Sequence, residues 1–264
     1  MKQYKGAVFF DVDGTLVDER LKIYHPTPKT AEAIGRLREN GYLAGIATGR
    51  ARCYIPETGI DFDCYVSCNG AVAEVGEEEV FNDYIALPKL REMVDFMEQE
   101  GIGYELESSD QCFFQKESKA EFDALLAHFH ITADCFFPLE SLDQLKTNKI
   151  LITFQRMEQF EKMCEKFGSE YAIIQHHRNL SADIGKRHIS KASGIRAVID
   201  RLNLDIADTY AFGDDGNDFE MLAAVGHGVA MTPHAARLDE VADSITCGVA
   251  EDGVYHGLKK LGLI

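Results

Sequence analysis

The chain has 264 residues, of which 45% are hydrophobic and 27% charged, and its formal net charge is −17. This composition excludes a disordered chain, and the length admits one large domain or two smaller ones. A surface this acidic repels nucleic-acid backbones and anionic membranes at long range, so neither is an expected partner. No stretch reaches the roughly 18 apolar residues of a membrane span. The apolar run near the N-terminus is too short for a signal peptide, and acids follow it at once. Seven cysteines, an odd number with no C-x-x-C pair, suit small core residues of a reduced, cytoplasmic protein better than a disulfide framework or a zinc site. Asn179-Leu180-Ser181 matches a glycosylation sequon and reads as chance in such a protein.

In chain order, Ala7-Val8-Phe9-Phe10 predicts a short buried strand. Thr27-Pro28 is an N-cap and first-turn pair, and Ala31, Ile34 and Leu37 follow on one helical face. Gly41 closes that helix, and Tyr42 to Ala47 reads as the next strand. Strand, helix, strand in this order implies a parallel βαβ unit.

The middle of the chain changes character. Pro88 opens a helix with Leu90, Met93, Val94 and Met97 inward, and Gly101 ends it. Ser118 opens a second, carrying Phe122, Leu125, Leu126 and Phe129, and Met157 to Phe167 gives a third. Strands are expected at 102–106, 112–115, 149–154, 171–176 and 179–184, the last two as a hairpin. Helices interleaved with adjacent strand pairs predict an α+β module with an antiparallel sheet. The last quarter returns to the first grammar. Ser190 caps a helix with Ile195, Val198, Ile199 and Leu202; a strand from Thr209 to Phe212, a helix from Phe219 to Val225 and a strand from His227 to Met231 follow. The chain thus reads as a discontinuous α/β core from 1–82 and 189–264, with a second domain inserted at 83–188.

Four short motifs carry the chemistry. Asp11-Val12-Asp13-Gly14-Thr15 follows the first strand, at the strand end where an open α/β sheet binds ligands. Two acids two apart can converge there, and Gly14 lets the backbone turn and bring N–H groups near an anion. Thr48-Gly49-Arg50 follows the second strand and offers a hydroxyl and backbone N–H groups to a phosphoryl oxygen. Lys191 stands at a helix start, where it opposes the helix dipole unless it neutralises an anion. Gly213-Asp214-Asp215-Gly216-Asn217-Asp218 concentrates three acids in five residues at another strand end, a charge density that a hard cation relieves. Each alone has an ordinary explanation: a surface turn, a solvated lysine, an acidic loop, a helix cap.

Together and in this order, the motifs resemble those of the haloacid dehalogenase superfamily: an acidic D-x-D, a Ser/Thr, a Lys and a G-D-x-x-N-D. The chain looks most like the Cof-type phosphatases, which carry a large C2-type cap between the second and third motifs. Ser67-Cys68-Asn69-Gly70-Ala71 and Glu251-Asp252-Gly253-Val254 resemble two further segments of that group. Lys191-Ala192 departs from it, because the family has Gly directly after the Lys. The resemblance implies a doubly wound parallel-sheet, Rossmann-like core with an inserted α+β cap. It implies Mg²⁺-dependent hydrolysis of a small phosphorylated metabolite, a sugar phosphate or similar, through an aspartyl-phosphate on Asp11. Asp13 becomes the acid and base, with Mg²⁺ on Asp11, Asp214 and the Asp13 main-chain carbonyl. Asp218 joins the metal group, and with Asn217 it orients metal waters and Lys191. Thr48, Gly49, Lys191 and Asn217 bind phosphate.

A carboxylate nucleophile suits this chemistry, since it is anionic at neutral pH and needs no base. The alternative function is a phosphomutase or phosphotransferase using the same intermediate. A signalling receiver domain also pairs acids with Thr and Lys but lacks a large insert, and an idle binding protein would not need every motif residue. Arg50, Arg178, Asn179 and His188 are candidates to reach a substrate. His176-His177 are weaker ligand candidates, because adjacent strand residues face opposite ways.

Overall fold

The computed structural model describes residues 3–116, 123, 126, 134–176 and 180–264. The expected helix from Ser118 lies outside these residues, apart from Asp123 and Leu126, which are helical, the first exposed and the second buried. The chain divides into two compact units: Met1–Arg50, Ile55–Phe81 and Ser190–Ile264 form one, and Ala51–Tyr54 with Asn82–Ile189 form the other.

Along the chain run β1 (Ala7–Phe10), α1 (Pro28–Glu39), β2 (Leu43–Ala47), β3 (Cys64–Ser67), β4 (Val72–Val75) and β5 (Glu78–Asn82). The second unit then supplies α2 (Leu87–Glu100), β6 (Gly103–Glu107), β7 (Cys112–Phe114), β8 (Phe136–Pro138), β9 (Lys149–Thr153), α3 (Met157–Phe167), β10 (Tyr171–Gln175) and β11 (Ser181–Lys186). The first unit resumes with α4 (Lys191–Leu202), β12 (Thr209–Gly213), α5 (Phe219–Ala224), β13 (His227–Ala230), β14 (Ser244–Ile245) and α6 (Gly253–Lys260).

The first unit is built on an eight-stranded sheet in the order β14-β13-β12-β1-β2-β3-β4-β5. Its strands from β14 to β3 run parallel, and β4 turns back antiparallel to β3. All four residues of β1 are wholly buried, because both sheet faces are covered. Val8 and Phe10 pack on one face with Ile34 and Leu37 of α1 and Leu258 of α6. Ala7 and Phe9 pack on the other with Ile195 and Val198 of α4 and Met221 and Leu222 of α5. Helices on both faces of a mainly parallel sheet make the doubly wound α/β core that the first and last quarters predict.

The second unit has a six-stranded sheet in the order β10-β11-β9-β6-β7-β8. Its pairs are antiparallel except β7 with β8. Tyr104, Leu106, Ile150, Ile152, Ala182 and Ile184 pack with α2 and α3 in one hydrophobic cluster. The expected hairpin is β10 with β11. Five strands, β3, β4, β5, β8 and β14, were not predicted. β5 is an exposed, acid-rich edge, Glu78-Glu79-Val80-Phe81-Asn82, and lacks the apolar alternation that marks a half-buried strand. No helix among the described residues is long and apolar enough to cross a membrane.

Candidate active site

Three neighbouring parallel strands, β12, β1 and β2, end on the same side of the core sheet and deliver three of the motifs together. Asp11 leaves β1 with its N–H bonded to Phe212 O at 2.9 Å. Thr48 leaves β2 with its N–H on Val66 O at 2.8 Å. Asp214 follows β12, and Lys191 is the first residue of α4.

Lys191 is the centre of the arrangement. Its side chain is 1% exposed, and Nζ donates to Asp11 Oδ1 and to Asp218 Oδ1, both at 2.6 Å. The lysine that opposes its helix dipole is thus neutralised by two acids. Burial alone would lower its pKa, but Asp11 and Asp218 more than offset this and hold it above the usual lysine value. Asp218 Oδ2 accepts the N–H groups of Asp214 and Asp215 at 2.9 and 3.0 Å. Both oxygens of Asp218 are therefore engaged, one on Lys191 and one on the acidic loop.

Asp11, Asp214 and Asp218 offer ligand oxygens that all lie within 4.8 Å of one another. Asp214 Oδ1 is buried and has no hydrogen-bond partner. Burial, only partly countered by Lys191, pushes Asp11 up to about 8; burial with the charges of Asp11 and Asp218 pushes Asp214 up to about 9. Three buried carboxylates face one ammonium, which leaves two negative charges for a cation to balance. A divalent, oxygen-seeking cation fits this donor set.

Gly14 is needed for a different reason from the one its sequence suggests. Its N–H donates to Val17 O at 2.7 Å, so that group is engaged within the loop. A Cβ at Gly14 would fall 2.1 Å from Asp214 Oδ2, and the residue has φ +86°. The missing side chain leaves room for the Asp214 carboxylate.

The other predicted residues sit around this cluster. Thr48 is buried, and its Oγ1 accepts the Arg50 N–H at 3.2 Å. Asn217 Nδ2 donates to Asn69 Oδ1 at 3.3 Å, and a Cβ at Gly49 would lie 3.0 Å from the same Asn69 oxygen. Asn69 therefore joins the second and fourth motifs. Gly70, with φ +92°, lets the chain approach the start of α4, where a Cβ would come 1.9 Å from Ser190 O. The motif at 67–71 was legible, but its work of seating Lys191 and bridging Gly49 to Asn217 was not.

Arg50 grips Asp13 with Nε to Oδ2 at 2.8 Å and Nη2 to Oδ1 at 2.7 Å, and reaches Glu19 Oε1 at 3.0 Å. Sequence reading gave Arg50 to the substrate; the structure gives it first to Asp13. Asp13, with a side chain 48% exposed, is outside the buried carboxylate group. His188 pairs with Asp83 at 3.0 Å, and His176 with Ser181 at 2.9 Å and Asp183 at 3.4 Å. His177, Arg178 and Asn179 lie outside the described residues.

The second unit contains another buried group with metal-ligand spacing, Glu105, Glu107 and Cys112. Here the cation is built in: Lys149 Nζ lies 2.9 Å from Glu107 and 3.0 Å from Asp183, and Tyr54 donates to Glu107 at 2.7 Å.

The model of the haloacid dehalogenase-like hydrolase family matches residues 8–258. YkrA of Bacillus subtilis (strain 168) is 31% identical, over 97% of this chain and 98% of its own length. YitU of the same organism, a 5-amino-6-(5-phospho-D-ribitylamino)uracil phosphatase, is 25% identical, over 96% of each chain. Among solved structures, a Geobacillus kaustophilus HTA426 protein superposes with TM-score 0.85 at 31% identity, covering 98% of this chain and 100% of its own. The subclass IIB sugar phosphatase BT4131 gives TM-score 0.85 at 25% identity, with the same coverage of both chains.

Proposed function

The chain belongs to the haloacid dehalogenase-like hydrolase family, and on that premise we propose that it is a Mg²⁺-dependent phosphatase of small phosphorylated metabolites, with Asp11 as nucleophile. The observation that carries the reading is the buried group of Asp11, Asp214 and Asp218 around Lys191. Phosphoryl transfer asks the protein mainly for positioning and charge neutralisation, and this group supplies both.

Asp11, Asp214 and the Asp13 main-chain carbonyl would hold the cation. When bound, Mg²⁺ offsets the repulsion between Asp11 and a phosphate dianion. An Asp11 oxygen attacks phosphorus, and the ester P–O bond breaks. Asp13 gives its proton to the departing alkoxide oxygen, then takes a proton from the water that attacks the aspartyl-phosphate. Inorganic phosphate leaves, and Asp11 returns as a carboxylate. Lys191 and the Thr48 hydroxyl donate to the phosphoryl oxygens, while Gly49 and Asn217 line the same place. Asp218, engaged on both oxygens, holds Lys191 and the loop that carries Asp214. Arg50 positions Asp13 through its two-pronged contact, and Asp13 takes up its proton only when one oxygen leaves that contact for the substrate.

Sugar phosphates and related metabolites are the substrate class. In support, YitU is named a 5-amino-6-(5-phospho-D-ribitylamino)uracil phosphatase and BT4131 a sugar phosphatase. The test is hydrolysis of p-nitrophenyl phosphate with and without a chelator, in the unsubstituted chain and in Asp11→Asn. Loss of phosphate release in both arms is expected, whereas full activity of Asp11→Asn would overturn the assignment.

A further inference from the structure

Glu19 is a residue that the proposed steps leave without a task. It lies in the first unit with Asp13 and Arg50. The loop after β1 is folded tightly enough to aim it. Asp18 and Ile23 exchange N–H bonds at 2.8 and 2.9 Å, and between them Glu19–Leu21 form a single turn that the Lys22 N–H closes on Glu19 O at 3.0 Å. Arg50 is fixed as firmly: its N–H donates to Thr48 Oγ1 at 3.2 Å, and its carbonyl accepts the Cys68 N–H at 2.9 Å. The Arg50 side chain is 9% exposed, that of Glu19 22% and that of Asp13 48%.

The two acids meet the guanidinium unequally. Asp13 spans its fork, Oδ2 on Nε at 2.8 Å and Oδ1 on Nη2 at 2.7 Å, whereas Glu19 Oε1 takes Nη2 alone, at 3.0 Å. Nη2 carries two N–H groups and serves both acids at once; Nε carries one. We propose that Glu19 is a positioning residue that holds the Nη2 end of Arg50 while Asp13 Oδ1 leaves it to exchange a proton in the reaction, a role that rests on the phosphatase reading. The geometry names the oxygen that leaves. Oδ1 shares its nitrogen with a second carboxylate, so that end of the cation stays paired when Oδ1 departs. Oδ2 on Nε keeps Asp13 tethered, and Oδ1 swings out and returns about that bond. Where the cation is buried, breaking an ion pair has a cost that water does little to offset. Glu19 lowers that cost by keeping an acid on the nitrogen that Asp13 vacates.

The consequence falls on proton transfer rather than on the attack by Asp11, and p-nitrophenyl phosphate separates the two. Its leaving group departs as a stable anion and needs no proton, so its release reads the attack on phosphorus. Loss of phosphate from Asp11 needs Asp13 as base. The water oxygen bonds to phosphorus, the bond from phosphorus to the Asp11 oxygen breaks, and the water proton goes to Asp13. Glu19 acts on this second release.

A single turnover, with protein in excess over p-nitrophenyl phosphate and Mg²⁺ present, gives both rate constants: nitrophenolate by absorbance and inorganic phosphate after an acid quench. Mass spectrometry of the quenched chain reads the phosphate still on Asp11. Glu19→Ala should slow phosphate release about tenfold, change nitrophenolate release less than about twofold, and leave the chain phosphorylated for longer. Glu19→Gln keeps an acceptor oxygen and should recover most of the loss. A misfolded fraction lowers the amplitudes but leaves the rate constants of the folded protein readable. Equal slowing of both releases, or no slowing of either, would overturn the role of Glu19, as would a Gln variant as slow as the Ala variant. An unsubstituted chain that releases neither product would defeat the phosphatase reading and this role with it; an active parent with unsplit variants defeats the role alone.

Discussion

Replacing Lys191 by Met removes the one ammonium that faces the buried carboxylates while roughly keeping side-chain length. Two contacts at 2.6 Å disappear at a site that is 1% exposed. At an effective dielectric near 20, each is worth about 6 kcal/mol before the cost of desolvating the ammonium. Removing one partner of a buried pair costs about 3–5 kcal/mol in practice, and that is the loss expected here. In a chain of this size it lowers Tm by about 6–20 °C. The loss should depend on pH in a defined direction. Asp11 is already pushed up to about 8 with Lys191 beside it, and losing the lysine moves it higher. A carboxyl whose folded pKa is raised holds a proton that the unfolded chain releases above about pH 4. Stability therefore falls as pH rises from there through the folded value; parent and variant share this loss up to about pH 8, beyond which only the variant continues to lose, so the Tm deficit should be larger at pH 9 than at pH 5. Calorimetry in chelator at both pH values reads this, and added Mg²⁺ should recover part of the deficit. A variant as stable as the parent at pH 9 in chelator would show that Lys191 does not compensate the acids.

Four other outcomes follow from named contacts. Gly14→Ala places a methyl on the Asp214 carboxylate at a positive φ, and should weaken Mg²⁺ binding about 10–100-fold, read as loss of the cation's effect on Tm. Without a cation, Asp11 and Asp214 hold protons up to about 8 and 9, and a metal must displace them. The Mg²⁺ concentration for half-maximal activity should accordingly fall as pH rises toward those values, and an unchanged requirement would contradict the shifts. Arg50→Met releases Asp13 and should reduce kcat about 10–100-fold with a smaller change in KM, partly restored by Arg50→Lys. Tyr54→Phe strips the 2.7 Å donor from buried Glu107 and should cost about 1–3 kcal/mol, read as a lower urea midpoint.

Most helices and strands were legible because their signals are local, α6 being the helix that was not predicted. Leu90, Met93, Val94 and Met97 recur at helical spacing, and all four are buried on α2. Thr27 and Pro28 mark the start of α1, and Thr27 Oγ1 accepts the Thr30 N–H at 3.2 Å. The candidate site was legible for a related reason. An acid directly after an apolar strand lies at a sheet's carboxyl edge in any parallel α/β core, so motif order alone brings Asp11, Thr48 and Asp214 to one side. The edge strands β5, β8 and β14 were hidden because their outward residues answer to solvent rather than to a core.

What the residues determined unaided is the kind of fold and the identity of the chemical groups, since periodicity and charge are written along the chain. Which group serves which could only come from folding, because those contacts join positions far apart in sequence. Lys191 meets Asp11 across 180 positions, and Arg50 meets Asp13 across 37. Gly14 guards space for Asp214, and Cys53 comes to lie beside Cys112 across 59 positions. Such pairings depend on strand order and on burial, which set distance and dielectric together, and neither is a property of any short segment.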